Sequence, residues 1–144
     1  MAYSLEADIQ SEFKDIDFAD ADSKVTSAEV TAFITQADAF IDSKVGLRYD
    51  TPVTGVESLK ILKTISIWLV ADRVSKVLRI KSNVPETETA EKSLRDMALE
   101  MLEDISKGLL LLSDATLKSS GSGFSSYANT EDLSYTFKKG ESQW

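Results

Sequence analysis

The sequence predicts an all-α protein: a small helical bundle of three long helices plus a short N-terminal helix, with an extended C-terminal arm. Three observations predict this class. Apolar residues recur at spacings of three and four over long stretches. Proline and glycine fall mainly between those stretches. The length of 144 residues suits one domain with a core of its own. We place the helical domain at residues 1–117 and the arm at residues 118–144.

The first two helices lie on either side of an acidic stretch. Residues 4–13 have the pattern of a short helix with Ser4 at the N-cap, and the acidic residues that follow favour a loop. The next helix begins after Thr26, which has capping-box spacing from Glu29, and ends at Gly46. Its apolar stripe consists of Val30, Phe33, Ile34, Ala37, Ile41 and Val45.

The third and fourth helices are also defined by apolar periodicity. The third spans about residues 56–81, with Thr54 and Glu57 at capping-box spacing, and is apolar on more than one face. Such a helix is central in a bundle, or is shared with a partner. The fourth spans about residues 87–113, and Gly108 marks a point where it bends or ends. Its stripe consists of Leu94, Met97, Ala98, Met101, Leu102, Ile105, Leu109 and Leu112.

The composition limits the chemistry that is open to this chain. It has no cysteine and no histidine. Disulfides, thiolate zinc sites, cysteine nucleophiles and imidazole bases are therefore excluded. We expect a protein that is not an enzyme and that holds no metal or cofactor.

The charge balance is acidic, with 16 basic and 24 acidic residues and a net charge of −8. Residues 1–25 alone carry seven acidic and two basic side chains, and no stretch is strongly basic. Such a chain gains no net attraction to DNA or to anionic lipid. The sequence has no apolar run of 18 residues and no secretory pattern at its N-terminus, so we expect no membrane association.

The arm combines a flexible composition with large apolar side chains. Seven of the eight residues at 119–126 are Ser or Gly, which gives the segment reach. Exposed aromatic residues reduce solubility unless they dock on a surface. Docking on another subunit or partner is favoured over docking back on the bundle. The anchors are Phe124, Tyr127, Leu133, Tyr135, Phe137 and Trp144.

The acidic loop resembles a calcium-binding loop in composition only. No register satisfies the EF-hand spacing, and the loop has no glycine. A solvated acidic face is favoured over a metal site. The carboxylates concerned are Asp15, Asp17, Asp20, Asp22 and Glu29.

A second acidic group, Glu100, Glu103 and Asp104, falls on the fourth helix. Paired catalytic carboxylates need a water-poor pocket that raises one pKa. The position of these residues outside the apolar stripe instead predicts ordinary surface charge.

Two further groups suggest contacts. Arg73, Lys76 and Arg79 form a basic strip without an interleaved aromatic platform, so salt bridges to neighbouring helices or subunits are favoured over nucleic-acid binding. Arg48, Tyr49 and Pro52 belong to the turn between the second and third helices. Two interpretations of this turn stay open: a capped helix end whose Tyr packs on the bundle, or a subunit contact.

The run TSAEVTAFITQADAFIDSKVGLRYDTPV, followed by a long apolar helix, resembles tailed-phage head–tail connector proteins. These are small helical adaptors of the neck and include a Mu-type structural group. The resemblance covers about residues 5–110, and the aromatic C-terminal segment also resembles that of the family. The matching positions are Phe33, Ala37, Ile41, Arg48, Tyr49 and Pro52.

The resemblance implies a structural virion protein in the neck, present in the host cytoplasm during assembly. It implies a homo-oligomeric ring, commonly of twelve copies, with the arms reaching into the portal protein. The opposite face would receive a downstream neck or tail protein. DNA would pass through the lumen without specific binding, which an acidic wall favours because it repels phosphate.

Two other classes of function stay open. A small helical regulatory module that binds DNA or protein would need an exposed recognition helix. A small carboxylate hydrolase would need a pocket that holds two carboxylates of perturbed pKa.

Overall fold

A computed structural model describes residues 2–20, 22–83 and 93–118, and these ranges contain four helices and no strand. The helices are α1 (Glu6–Glu12), α2 (Ser27–Val45), α3 (Val56–Ser82) and α4 (Leu94–Lys107). The predicted all-α bundle is therefore confirmed. None of the helices in the described ranges is long and apolar enough to cross a membrane.

The longest helix, α3, lies at the centre of the bundle. It contacts α1, α2 and α4, while α2 also contacts α1 and α4. This arrangement explains why α3 is apolar on more than one face, since each neighbour covers a different side.

The interior consists of two groups of buried side chains. The first joins the C-terminal half of α2 to α3 and α4, and includes Ile41, Leu62 and Leu102. The second joins α1 to α2 and α3. Phe18 and Val25, from the loop between α1 and α2, are fully buried in this second group. Each such side chain stabilises the fold by about 1.5–3 kcal/mol. The burial of Phe18 and Val25 therefore holds the acidic loop against the helices.

The start of α2 follows the predicted capping box. The Thr26 hydroxyl accepts a hydrogen bond from the Glu29 amide at 3.3 Å, and the Glu29 carboxylate accepts one from the Thr26 amide at 3.0 Å. Glu29 also pairs with Lys81 at 3.0 Å. The hydrogen bond from the Thr26 amide is the main reason that the pKa of the Glu29 carboxyl is lowered, and the bond from Lys81 lowers it further.

Two predicted caps are wrong. The N-cap of α1 is Leu5, because the Ser4 hydroxyl is buried and lies 2.8 Å from the Ser66 hydroxyl. The N-cap of α3 is Gly55 rather than Thr54, and its acceptor comes from a distant part of the chain, as described below.

The helix α4 is shorter than predicted at both ends. Ser93 has an extended backbone, and its hydroxyl accepts a hydrogen bond from the Asp96 amide at 3.2 Å, which starts the helix at Leu94 rather than near residue 87. Gly108 has a φ of 77° and ends the helix in a left-handed conformation. Leu109 therefore leaves the apolar stripe and is 75% exposed, although Leu112 is still buried.

We predict that Gly108→Ala destabilises the fold by about 1–2 kcal/mol, because a side chain disfavours the left-handed conformation. Gly108→Asn should lose less, since Asn tolerates that conformation best among the other residues. A Cβ at this position meets the Arg48 guanidinium in both variants. The difference in stability between them therefore reports the cost of the left-handed backbone conformation. Urea unfolding measures both, and equal stability of the Ala variant and the unaltered chain would contradict the prediction.

Candidate functional site

The segment that follows α4 runs back across the loop between α2 and α3. We call residues 109–118 the return segment. The Asp50 amide donates to the Thr116 carbonyl at 2.9 Å, and the Lys118 amide donates to the Arg48 carbonyl at 2.8 Å. An isolated antiparallel bridge accompanies these bonds. The Lys118 ammonium also donates to the Gly46 carbonyl at 3.0 Å. The chain is thus fixed at the C-terminal end of α2 before residue 119.

Tyr49 connects the return segment to the core. Its side chain is only 2% exposed, and its phenol oxygen accepts a hydrogen bond from the Leu112 amide at 3.2 Å. Leu112 is itself buried, so the phenol satisfies an amide that water cannot reach. Pro52 is exposed at the other end of the turn and follows a cis peptide bond from Thr51.

Arg48 lies beside the C-terminal end of α4. Its guanidinium packs against Gly108, where the helix dipole favours positive charge. Its Nε is buried and has no hydrogen-bond partner among the described residues. The turn therefore packs on the bundle through Tyr49 and on α4 through Arg48, while a subunit contact through this turn stays a prediction.

Asp114, in the return segment, caps α3. Its carboxylate accepts hydrogen bonds from the Glu57 amide at 2.8 Å and the Ser58 amide at 2.9 Å, and also from the Ser58 hydroxyl. The Ser58 hydroxyl is the main reason that the pKa of the Asp114 carboxyl is lowered. The α3 N-cap, Gly55, has no side chain, and a Cβ there would overlap with Asp114. No local pattern signals a cap that is 57 residues away from Glu57.

An exposed apolar patch surrounds this junction. The patch has five members, each between 57% and 75% exposed, which come from the α2 end, the α3 start and the return segment. Large exposed apolar surface is typical of sites that bind another protein. We call it the junction patch; its members are Leu47, Val56, Leu109, Leu111 and Leu117.

The predicted arm starts beside the junction patch. Its boundary at residue 118 and its role in docking stay predictions. Its anchors Phe124, Tyr127, Leu133, Tyr135, Phe137 and Trp144 lie outside the described residues.

The basic strip of α3 borders a groove between α2, α3 and α4. The Arg73 guanidinium lies 5.0 Å from the centre of the Phe33 ring, and the Lys76 ammonium lies 2.7 Å from the Asp72 carboxylate. Arg79 also has an interaction partner. The predicted inter-subunit salt bridges of Arg73, Lys76 and Arg79 stay a prediction.

The groove has a volume of about 430 Å³ and combines cations with apolar side chains. Arg95, from the first turn of α4, joins Arg73 and Lys76 along its wall, and Phe33 and Phe40 contribute aromatic surface. Sequence reasoning missed Arg95, because its proximity to the strip depends on how α4 packs.

The acidic loop forms a second concavity, of about 420 Å³, beside the C-terminal end of α3. The Asp17 carboxylate accepts a hydrogen bond from the Ala19 amide at 2.9 Å, and the Asp20 carboxylate accepts one from the Asp22 amide at 3.0 Å. Such local bonds stabilise turns. Within the described part of the chain, no group of three acidic residues is placed to hold a metal ion.

The acidic group on α4 is engaged at the surface. Glu103 is exposed and pairs with Lys107 at 2.5 Å. This contact lowers the pKa of the Glu103 carboxyl, whereas a catalytic acid needs a raised pKa. Glu100 is exposed and has an interaction partner, and Asp104 is half-buried.

A different carboxylate pair, Asp38 and Asp42 on α2, is held by the N-terminal segment. The Tyr3 amide donates to Asp38 at 3.2 Å, the Tyr3 hydroxyl donates to Asp42, and the Ser66 hydroxyl lies 3.5 Å from Asp38. Burial raises the pKa of the Asp38 carboxyl. Burial is the main reason that the pKa of the Tyr3 hydroxyl is raised, and its hydrogen bond to Asp42 raises the pKa further.

This pair of carboxylates attaches the N-terminal segment to α2. Its hydrogen bonds within the chain give it a structural role. Sequence reasoning missed it. The available signal was the position of Asp38 within the apolar stripe of α2, next to Ala37 and one turn before Ile41.

We predict that Tyr49→Phe lowers the free energy of unfolding by about 1–3 kcal/mol, because the buried Leu112 amide loses its acceptor. Hydrogen exchange gives a specific readout. The Leu112 amide should exchange faster, while the amides in the middle of α3 should keep the same order of exchange rates among themselves. Unchanged exchange at Leu112 would contradict the proposed role of the phenol.

We predict that Asp38→Asn makes the free energy of unfolding depend less on pH. The raised folded pKa means that the unaltered chain loses stability as pH rises from the unfolded value of 3.8 through the folded value. The variant lacks this loss and keeps an oxygen acceptor for Tyr3. It should therefore match the unaltered chain at low pH and exceed it at neutral pH. Thermal unfolding across pH measures the gap, and a gap that closes as pH rises would contradict the assignment.

The comparisons with known proteins point to one family. The sequence model described as "Bacteriophage Mu, Gp36" matches residues 3–124, which include all four helices and the whole return segment. The searches of curated proteins and of solved structures found no match to this chain. Because the match extends over most of its length, the chain belongs to the bacteriophage Mu Gp36 family.

Proposed function

We propose that this chain is a non-enzymatic head–tail connector. Copies of it form a ring between the portal protein and the next neck or tail component, and DNA passes through the ring. Membership of a phage Mu family supports a structural or morphogenesis role in a phage. The finer assignment depends on one observation, namely that the return segment fixes the base of the arm at one end of the bundle.

A fixed base favours the docking of an arm on a partner. Residues 119–144 reach at most about 3.3–3.6 Å per residue from Lys118. Because hydrogen bonds hold that base against the bundle, less conformational freedom is lost when the arm binds. The junction patch beside the base adds apolar surface to the same contact. These observations support portal docking at this end of the bundle.

The net charge supports the passage of DNA. A chain of charge −8 neutralises few phosphates, and phosphate neutralisation supplies most non-specific affinity for DNA. Copies arranged around a channel would therefore not retain the genome. Salt-dependent binding of duplex DNA by the purified protein would instead support the alternative, a small regulatory module that binds DNA.

We predict that the triple substitution Phe124→Ser, Tyr135→Ser and Phe137→Ser weakens binding to the matching portal by roughly tenfold or more. Each buried aromatic side chain contributes about 1.5–3 kcal/mol, so three losses exceed that threshold. Co-sedimentation of the full chain with the purified portal measures the affinity.

The matched control is Ile80→Ser, which removes an apolar side chain that is 78% exposed at the opposite end of α3. It should leave portal binding unchanged. Portal affinity that falls equally in both variants, or in neither, would show that the arm does not carry the contact.

A further inference from the structure

The cationic groove and the acidic loop lie on opposite sides of α3. The groove contains α3 positions 69, 72, 73 and 76, which form one stripe. The loop concavity is bordered by α3 positions 78 and 82. With about 100° of rotation per residue, the two faces are separated by roughly 150° around the helix. One copy therefore presents these surfaces in different directions.

The two surfaces have opposite charge. The groove carries Arg73, Lys76 and Arg95 against one carboxylate, Asp72. The loop concavity is lined by four carboxylates against one ammonium, that of Lys24. All four carboxylates are on exposed residues, namely Asp15, Asp17, Asp20 and Asp22.

We propose that the acidic loop of one copy docks in the cationic groove of the next copy. This inference rests on the proposed function, since it names the contact between copies in the ring. A contact between two different surfaces is head-to-tail, and repetition of such a contact closes a ring when the rotation allows it. The charges set the register between copies, while the apolar groove wall provides area to bury.

The loop cannot occupy the groove of its own chain. Phe18 and Val25 hold it in the core between α1, α2 and α3, and the Ser27 amide donates to the Phe18 carbonyl at 3.0 Å. A second copy therefore supplies the occupant. Nucleic acid is disfavoured in the groove, because Asp72 stands among its cations and the chain is acidic overall.

The test reverses the charge of each surface in separate full-length variants. The groove variant carries Arg73→Glu and Arg95→Glu, and the loop variant carries Asp15→Lys and Asp22→Lys. All four residues are exposed, and the two loop carboxylates accept no hydrogen bond from another described residue. Each variant alone should self-associate at least about tenfold more weakly than the unaltered chain, because like charges then face each other.

An equal mixture of the two variants should regain association. In the mixture, the reversed groove of one variant meets the reversed loop of the other, and the unaltered groove meets the unaltered loop. Sedimentation velocity at low salt, without portal, measures the association. Higher salt should weaken it, because exposed charges are screened.

The matched control for the groove variant carries Lys60→Glu and Lys107→Glu, which change the net charge by the same amount and in the same direction at exposed positions outside the groove. It should associate as the unaltered chain does, and circular dichroism should show equal helix content in all variants. A mixture that associates no better than its components overturns the proposal. An unaltered chain that stays monomeric at about 1 mM, a free energy of roughly −4 kcal/mol, also overturns it.

Carbodiimide cross-linking of a mixture of ¹⁴N- and ¹⁵N-labelled chains identifies the occupant directly. A link from Lys76 to a loop carboxylate of the other label supports the proposal. Links from Lys76 only to carboxylates of the same label overturn it.

The outcomes separate this contact from the proposed function. A chain that binds the portal but shows no rescue in the mixture remains a connector with a different contact between copies. A chain that shows the rescue but does not bind the portal self-assembles through this contact without being a connector.

Discussion

The hydrogen bonds between Asp114 and the first turn of α3 hold the rest of the arrangement in place. They attach the start of the central helix to the chain that follows the last one. Because Gly55 has no side-chain acceptor, the first amides of α3, those of Glu57 and Ser58, depend on this distant carboxylate. The same attachment keeps the return segment against Tyr49, and it thereby fixes where the arm leaves the bundle.

Much of the fold could be predicted from local patterns. The periodicity of α2 and α3 and the Thr26–Glu29 box gave those helices correctly, because their signals involve neighbours in sequence. The start of α4 was missed, although Ser93 is an ordinary cap residue, because the glutamates that precede it in sequence are typical of a first helical turn. Gly108 was identified as a point where the helix bends or ends, and the helix ends there, although the apolar spacing continues to Leu112. The role of Asp114 could not be predicted, since nothing in the sequence near Glu57 indicates its partner.

The candidate surfaces also combine features that the sequence predicts with features that depend on packing. Arg73 and Lys76 share one helix, so their spacing placed them together, whereas Arg95 joins them only through the packing of α4 on α3. The carboxylates of the acidic loop are exposed, but the sequence did not show that Phe18 and Val25 anchor the loop. That anchoring holds the carboxylates on a fixed surface, on which a partner can find them without an ordering cost.

The return segment also determines how mechanical load enters the molecule. A pull on the arm is applied at Lys118, whose amide and ammonium are both bonded to the turn after α2. The force is therefore transmitted first to the C-terminal end of α2, and α4 is shielded from it. Tension between the arm and the bundle would break the bonds of Lys118 before those of Asp114, so the central helix would keep its cap while the arm yields.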